Sequence, residues 1–313
     1  MGVALGGQAA TDERGALLER AHRDAAERLE LVLAVDVSGS VDERVAAVVS
    51  SGGWGDGERK FRGQHRSPEE WAKFTNISWV GNDGFLYSRF AEPKEGAAFQ
   101  QLNYNQTVYY HKIGTPQSED KAIYATPDKP EYGHSAQVTH DGKWALITTS
   151  QGTDEKYELH IMPLGKKPTW KPVPLVKGLE HEWQLVEGVG NKLWFITNKD
   201  APRLKLVSVD LKAKVLNRAP CEGSSDAGDV CMAEGFAFTD IVPERAETLT
   251  RAQIVGERLI LSYIKDAKSM AMMTNLAGGP AKEISLNAIG TASGFSGTPG
   301  DPETFYGFSS FNQ

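Results

Sequence analysis

Three groups of side chains have the types and spacing for chemistry. Asp36, Ser38 and Ser40 form a D-x-S-x-S run at the end of an apolar stretch. A carboxylate and two hydroxyls are hard oxygen ligands, suited to Mg²⁺ or Ca²⁺. Gly294-Phe295-Ser296-Gly297-Thr298 is the nearest approach to the G-x-S-x-G elbow that raises a serine nucleophile between a strand and a helix. Thr298 takes the place of its closing glycine, and no histidine follows His181 to act as the base. Cys221 and Cys231 share one polar stretch, where a disulfide and two free thiols are equally open readings. Zinc would need further ligands, and the nearest histidine in sequence is His181.

The remaining candidates read as structural. His111, His134, His140 and His160 fall on expected strands or turns, at the surface or partly buried. Asp200, Asp210 and Asp301 read as turn residues. Gly52, Gly53, Gly55 and Gly57 lack the GK[ST] ending and the following helix of a phosphate loop. No metal and no cofactor are expected.

The elements that must carry these residues are mostly strands. Thr11-Asp12-Glu13 starts an expected helix through Arg28, and Leu29–Val35 is a short apolar strand. Residues 50–67 are rich in glycine and charge and read as linker. From Phe74 onward short alternating segments recur, each closed by a Gly, Pro or Asp turn. Gln137–His140 and Trp144–Thr149 flank Asp141-Gly142, a strong hairpin signal. Units run from Phe74 to Thr126, from His134 to Val176, from Glu182 through Leu211, from Thr250 to Leu286, and from about Thr291 through Phe308. Strand units at this spacing are the signature of a propeller. Asn217–Asp240 is Gly-, Ser- and Asp-rich and reads as a surface excursion between strands.

The totals narrow the partners. The chain has 313 residues and a net charge of −7, without a basic block, so neither nucleic acid nor an anionic membrane is an expected partner. No apolar run approaches the roughly 18 residues of a membrane span, and the first residues lack a signal peptide's charged and apolar regions. The default expectation is therefore a cytoplasmic protein.

The wording of the strands carries a resemblance. Phe74-Thr75-Asn76-Ile77-Ser78-Trp79, Tyr109-Tyr110-His111-Lys112-Ile113-Gly114-Thr115 and Gln117-Ser118-Glu119-Asp120 are similar to the N-terminal β-propeller of the prolyl oligopeptidase family. The likeness continues through His140–Asp154, Leu193–Leu211, Glu257–Ser269 and Phe305–Phe311, and spans about 74–311. It implies a serine-type endopeptidase that cuts short peptides after proline. It also implies that the catalytic Ser, Asp and His lie in an α/β-hydrolase domain that follows the propeller. The propeller gates substrate entry, and by position Gly152-Thr153-Asp154 is a loop lining that channel, with Thr153 and Asp154 as the candidate residues. The expected partners are thus the hydrolase domain and short proline-containing peptides. No residue of this chain carries over as nucleophile, base or orienter.

Residues 29–44 separately resemble the start of a von Willebrand factor A-type domain, whose adhesion motif the D-x-S-x-S run matches. The division expected is 1–49 helix–strand appendage, 50–73 Gly-rich linker and 74–313 partial propeller. The fold expected is mainly β: an open propeller of four to five blades, where the family's ring has about seven, with a short α/β appendage. Trp79, Tyr87, Trp144, Trp194 and Tyr263 are expected to pack between blades. The open ends are expected to expose Ile77, Trp79, Leu86 and Tyr87 on one side and Phe305, Tyr306, Phe308 and Phe311 on the other, and so to drive self-association. The alternatives are a non-enzymatic binding or adhesion protein with a cation at Asp36, Ser38 and Ser40, and a truncated or composite reading frame without selected function.

Overall fold

The structure, a computed structural model, describes residues 29–34, 44–51, 68–70, 72, 75–90, 104–165, 168–220, 230–286 and 289–310. Near the N-terminus β1 (Leu29–Ala34), β2 (Arg44–Ser51) and β3 (Pro68–Glu70) form an antiparallel sheet in that order. The expected strand at Leu29 is there. Its partner β2 is an apolar run the sequence reading passed over, and β3 lies within the stretch read as linker. The expected helix from Thr11 lies outside the described residues.

Four blades follow, each a four-stranded antiparallel meander. The first holds β4 (Ser78–Val80), β5 (Gly84–Arg89), β6 (Thr107–Lys112) and β7 (Lys121–Tyr124). The second holds β8 (Tyr132–Val138), β9 (Trp144–Gln151), β10 (Glu158–Pro163) and β11 (Val173–Val176). The third holds β12 (Trp183–Val189), β13 (Lys192–Thr197), β14 (Lys205–Pro220) and β15 (Val230–Val242). The fourth holds β16 (Thr248–Val255), β17 (Arg258–Lys265), β18 (Lys268–Asn275) and β19 (Gly278–Ile284). A hairpin of β20 (Gly290–Gly294) and β21 (Tyr306–Ser310) packs on the fourth blade through Phe295, Val255, Ile260 and Ala271. The blades form an open arc, and their order matches the units read from the sequence.

Strand periodicity builds the core between blades. Successive side chains of a strand point to opposite faces, and here each face meets a neighbouring blade. On β13, Leu193 and Phe195 pack toward the second blade with Leu146, Leu159 and Ile161. Trp194 and Ile196, one step out of phase, pack toward the fourth with Leu259, Leu261 and Tyr263. On β9, Leu146 joins the third blade while Ala145 and Ile147 join Leu86 and Val108 of the first.

This alternation corrects three expectations. Leu86 is not on the open face: it is fully buried against the second blade. Tyr87 points the other way, yet it is only 1% exposed, packed with Phe85, Ala72, Trp79 and Tyr109. Trp79 and Tyr87 therefore cover one end of the arc and do not pack between blades, whereas Trp194 and Tyr263 do, and Trp144 packs at the margin of the second interface. At the other end Phe305 is 76% exposed and Tyr306 38%, as expected, and Phe308 is half-buried. Phe311 lies outside the described residues.

The Asp141-Gly142 hairpin forms, but its strand ends at Val138, and Thr139 closes a longer loop by donating its N–H to Trp144 O at 2.9 Å. Gly142 takes φ +67°, the left-handed region open to glycine. The turn also latches two blades. Asp141 Oδ2 accepts the Gly190 N–H at 3.0 Å, and the Trp144 indole donates to Gly190 O at 2.9 Å. Gly188 permits that approach, because a Cβ there would lie 2.5 Å from Thr139 Cγ2.

The excursion at Asn217–Asp240 is an extended hairpin arm, with Lys214–Pro220 of β14 paired to Val230–Phe236 of β15. The paired strands form although the segment's composition is turn-like, with Val215, Leu216 and Val230 among the residue types that favour strands. Asp210 sits inside β14 at a bulge, where its Oδ1 accepts the Lys212 N–H at 3.0 Å, and not in a turn.

Ile147→Ala at the first interface should cost about 2–5 kcal/mol, whereas Phe305→Ser should change stability by less than about 0.5 kcal/mol. Urea unfolding midpoints compare the two directly. Equal costs would remove the inter-blade face as the source of stability.

Candidate functional site

Strand direction gives the arc two ends. Tight turns such as 139–143, Gly190-Asn191 and Gly256-Glu257 lie at one, and the β9–β10 loop and the blade-to-blade connections lie at the other. The candidate residues Thr153 and Asp154 sit in that β9–β10 loop, at the connection end of the second blade. Gly152 has φ +57°, and Gly152, Thr153 and Asp154 are all exposed. The loop closes on itself through the Asp154 N–H, which donates to Gln151 O at 3.2 Å. Lys156 Nζ lies 3.7 Å from Asp154 Oδ2, both exposed, an ion pair worth little in water.

The base of the loop is firmly held. Tyr157 N–H donates to His181 O at 3.0 Å, and Gly178 N–H donates to Glu158 Oε1 at 3.0 Å. The connection is anchored in turn to the third blade. Glu182 N–H donates to Asn198 Oδ1 at 2.9 Å, and Thr197 Oγ1 donates to Glu182 O at 2.7 Å. The rim is acidic. Burial, then Glu155, raises the Glu182 carboxyl above its usual range, and burial with Glu155, Glu182 and Asp154 raises the Tyr157 phenol.

The other candidates are not brought together. Ser296 is exposed in the loop between β20 and β21, with no helix after it; its carbonyl accepts the Thr304 hydroxyl at 2.7 Å. Asp36, Ser38, Ser40 and Cys221 lie outside the described residues, and Cys231 stands near the start of β15.

Two buried polar clusters escaped the sequence reading. In the first, Asp120, with a wholly buried carboxyl group, accepts Tyr87 OH on Oδ2 at 2.6 Å and meets His111 Nδ1 on Oδ1 at 2.7 Å. Gln117 Nε2 donates to Tyr87 OH at 3.1 Å. This clasp joins β5, β6 and the short 3₁₀ turn Gln117–Glu119, and turns the Gln117–Asp120 motif into a structural lock.

In the second, His134 is 3% exposed, with Thr149 Oγ1 2.9 Å from Nδ1 and Thr126 Oγ1 3.0 Å from Nε2. Its backbone N–H donates to Gln106 Oε1 at 2.6 Å. Tyr124 links it to His160, with ring centroids 5.1 Å from His134 and 4.6 Å from His160. Full burial of His111 and His134 exceeds the partial burial expected. Their positions within alternating strands were the only signal for it.

An open arc of antiparallel four-stranded blades packed face to face defines a β-propeller-type module. The family model of the prolyl oligopeptidase N-terminal β-propeller domain matches residues 59–313, and the chain belongs to that family. The prolyl endopeptidase of Elizabethkingia miricola is 30% identical over 239 residues, covering 76% of this chain and 31% of that protein. The prolyl endopeptidase of Elizabethkingia meningoseptica is 28% identical with the same coverage. A solved structure from a study of two prolyl endopeptidases and their inter-domain dynamics is 38% identical, with a TM-score of 0.66, covering 90% of this chain and 38% of that one. Apo prolyl oligopeptidase B from Galerina marginata, 24% identical with a TM-score of 0.62, shares the fold over 77% of this chain and 31% of its own. The chain spans about 31% of the length of these two curated relatives.

Burial, then the charge of His160, lowers the His134 pKa to about 4, and burial lowers that of His160. Between about pH 6.5 and 4 the unfolded chain binds a proton that folded His134 refuses. Stability is therefore intact above about pH 6.5 and falls as pH drops toward 4, by about 3 kcal/mol from His134. Melting temperature against pH should flatten in His134→Gln. An unchanged slope would place the acid sensitivity elsewhere.

Proposed function

We propose that these residues are the substrate-gating propeller of a serine-type endopeptidase that cuts short peptides after proline, its catalytic triad carried by an α/β-hydrolase domain. Membership of the propeller family, together with a solved prolyl endopeptidase structure that matches over 90% of the chain, is the observation that carries this reading. Thr153 and Asp154 line the peptide channel in this proposal. A tip exposed to solvent on a base tied to both the second and third blades supports that role, since a contact must be held in place to select what passes. The division at 49 and 73 belongs to the same proposal. So does self-association through the end that exposes Phe305 and Tyr306.

Alone, the 313 residues should leave a proline-containing fluorogenic peptide uncut, because nucleophile, base and oxyanion hole are not among them. Cleavage that survives repurification and is blocked by a serine-directed inhibitor would sink the idea.

The channel itself is tested by nuclear magnetic resonance. An octapeptide containing proline should shift the Thr153 and Asp154 amides more than those of Asp266-Ala267, the corresponding loop of the fourth blade. Equal shifts would remove Thr153 and Asp154 from the channel.

A further inference from the structure

The first and second blades meet on a largely apolar face, with Leu86 and Val108 of the first against Ala136, Ala145, Ile147 and Met162 of the second. Its two ends are closed by different chemistry. At the connection end Tyr124 of the first blade packs against both His134 and His160 of the second, and its hydroxyl lies 3.4 Å from His160 Nε2. The His134 N–H crosses the junction to Gln106 Oε1 at 2.6 Å. His134 is 3% exposed, and His160 Nδ1 is buried without a partner among the described residues. At the turn end the Val138 N–H crosses to Ser78 Oγ at 2.7 Å, and Trp170 packs on Tyr110 with ring centroids 4.3 Å apart. None of these turn-end groups titrates in mild acid, since burial raises the Tyr110 phenol still further.

The charges around the histidine pair come from several elements. β7 supplies Tyr124, the connection Lys129 and Glu131, β10 Glu158, and the segment after β11 Lys177. β9 supplies the neutral Thr149, and Arg89 of β5 lies over Tyr109 on the opposite face of the first blade. Glu158 favours a charged His160, but burial and Lys177 oppose it, and the charge of His160 opposes that of His134. The closed junction therefore refuses protons that an imidazole in water accepts below about pH 6.5. The next junction is held by Asp141, whose carboxyl lies below the usual range and stays ionised in mild acid.

We propose that the first two blades form a pH-operated joint: in mild acid His134 and His160 take up protons, their end of the junction parts, and the turn end holds as the hinge. The arc then widens at its connection end. The joint rests on the contacts of this junction and stands or falls apart from the gating role. With the His134 pKa at about 4 when closed and about 6.5 when open, the open form gains about twentyfold between about pH 7 and about pH 5. His160, also lowered by burial, adds in the same direction.

Two amides cross the junction, one at each end, and they test the joint. Native-state hydrogen exchange of the 313-residue chain is read as protection factors, which remove the intrinsic pH dependence of exchange. Protection of the His134 amide should fall about twentyfold or more from about pH 7 to about pH 5. Protection of the Val138 amide should hold, as should that of Gly190, which crosses the next junction to Asp141. In His134→Gln the amide at that position should stay protected in acid, and His160→Gln should reduce the fall. Constant protection at His134 overturns the joint. So does an equal fall at Val138, the mark of whole-blade separation or unfolding, or a fall of undiminished size in both variants.

Discussion

The fold depends on one constraint: the central strands of the blades in the middle of the arc must bury both of their faces. A sheet with one wet face alternates apolar and polar residues, but these blades are covered on two sides. Leu193-Trp194-Phe195-Ile196 shows the consequence, with four large apolar side chains in a row at 3% exposure or less. Odd positions belong to one interface and even positions to the next. Each blade is therefore held by its neighbours and not by a core of its own.

Polar groups inside such a stack must be matched locally, because water does not reach them. Asp120 gathers His111 and Tyr87 across two strands and a turn. His134 is stitched to Thr126, Thr149 and Gln106 from three directions. Asp141 does the same at a blade junction. Burial opposes its charge, but hydrogen bonds from Thr139, Lys143 and Gly190 outweigh that and hold its carboxyl below the usual range. The Asp120 clasp braces the first blade from within, while the His134 and Asp141 bonds tie neighbouring blades together.

The connection end is where the surface becomes specific. There the exposed Thr153 loop stands on a braced base, and a cavity lined by Trp183, Phe236 and Phe238 indents the third blade. Loops and blade ends are free of the packing rule that governs the strands, so they can vary without disturbing the stack.

Strand positions, blade units and family were legible in the sequence, because period-two alternation and turn residues are local and the matching segments run in order from Phe74 to Phe311. Alternation divides a strand into two faces but does not say which neighbour covers each. Leu86 and Tyr87 are adjacent and both apolar, and only the stacking of blades sends one into an interface and the other onto the arc's end. The same holds for the site. The exposed loop at Thr153 follows from its turn composition, whereas the Asp120 clasp and the His134 cluster join residues from different strands and turns. Such contacts are set by how sheets twist and stack, a long-range property that no local pattern encodes.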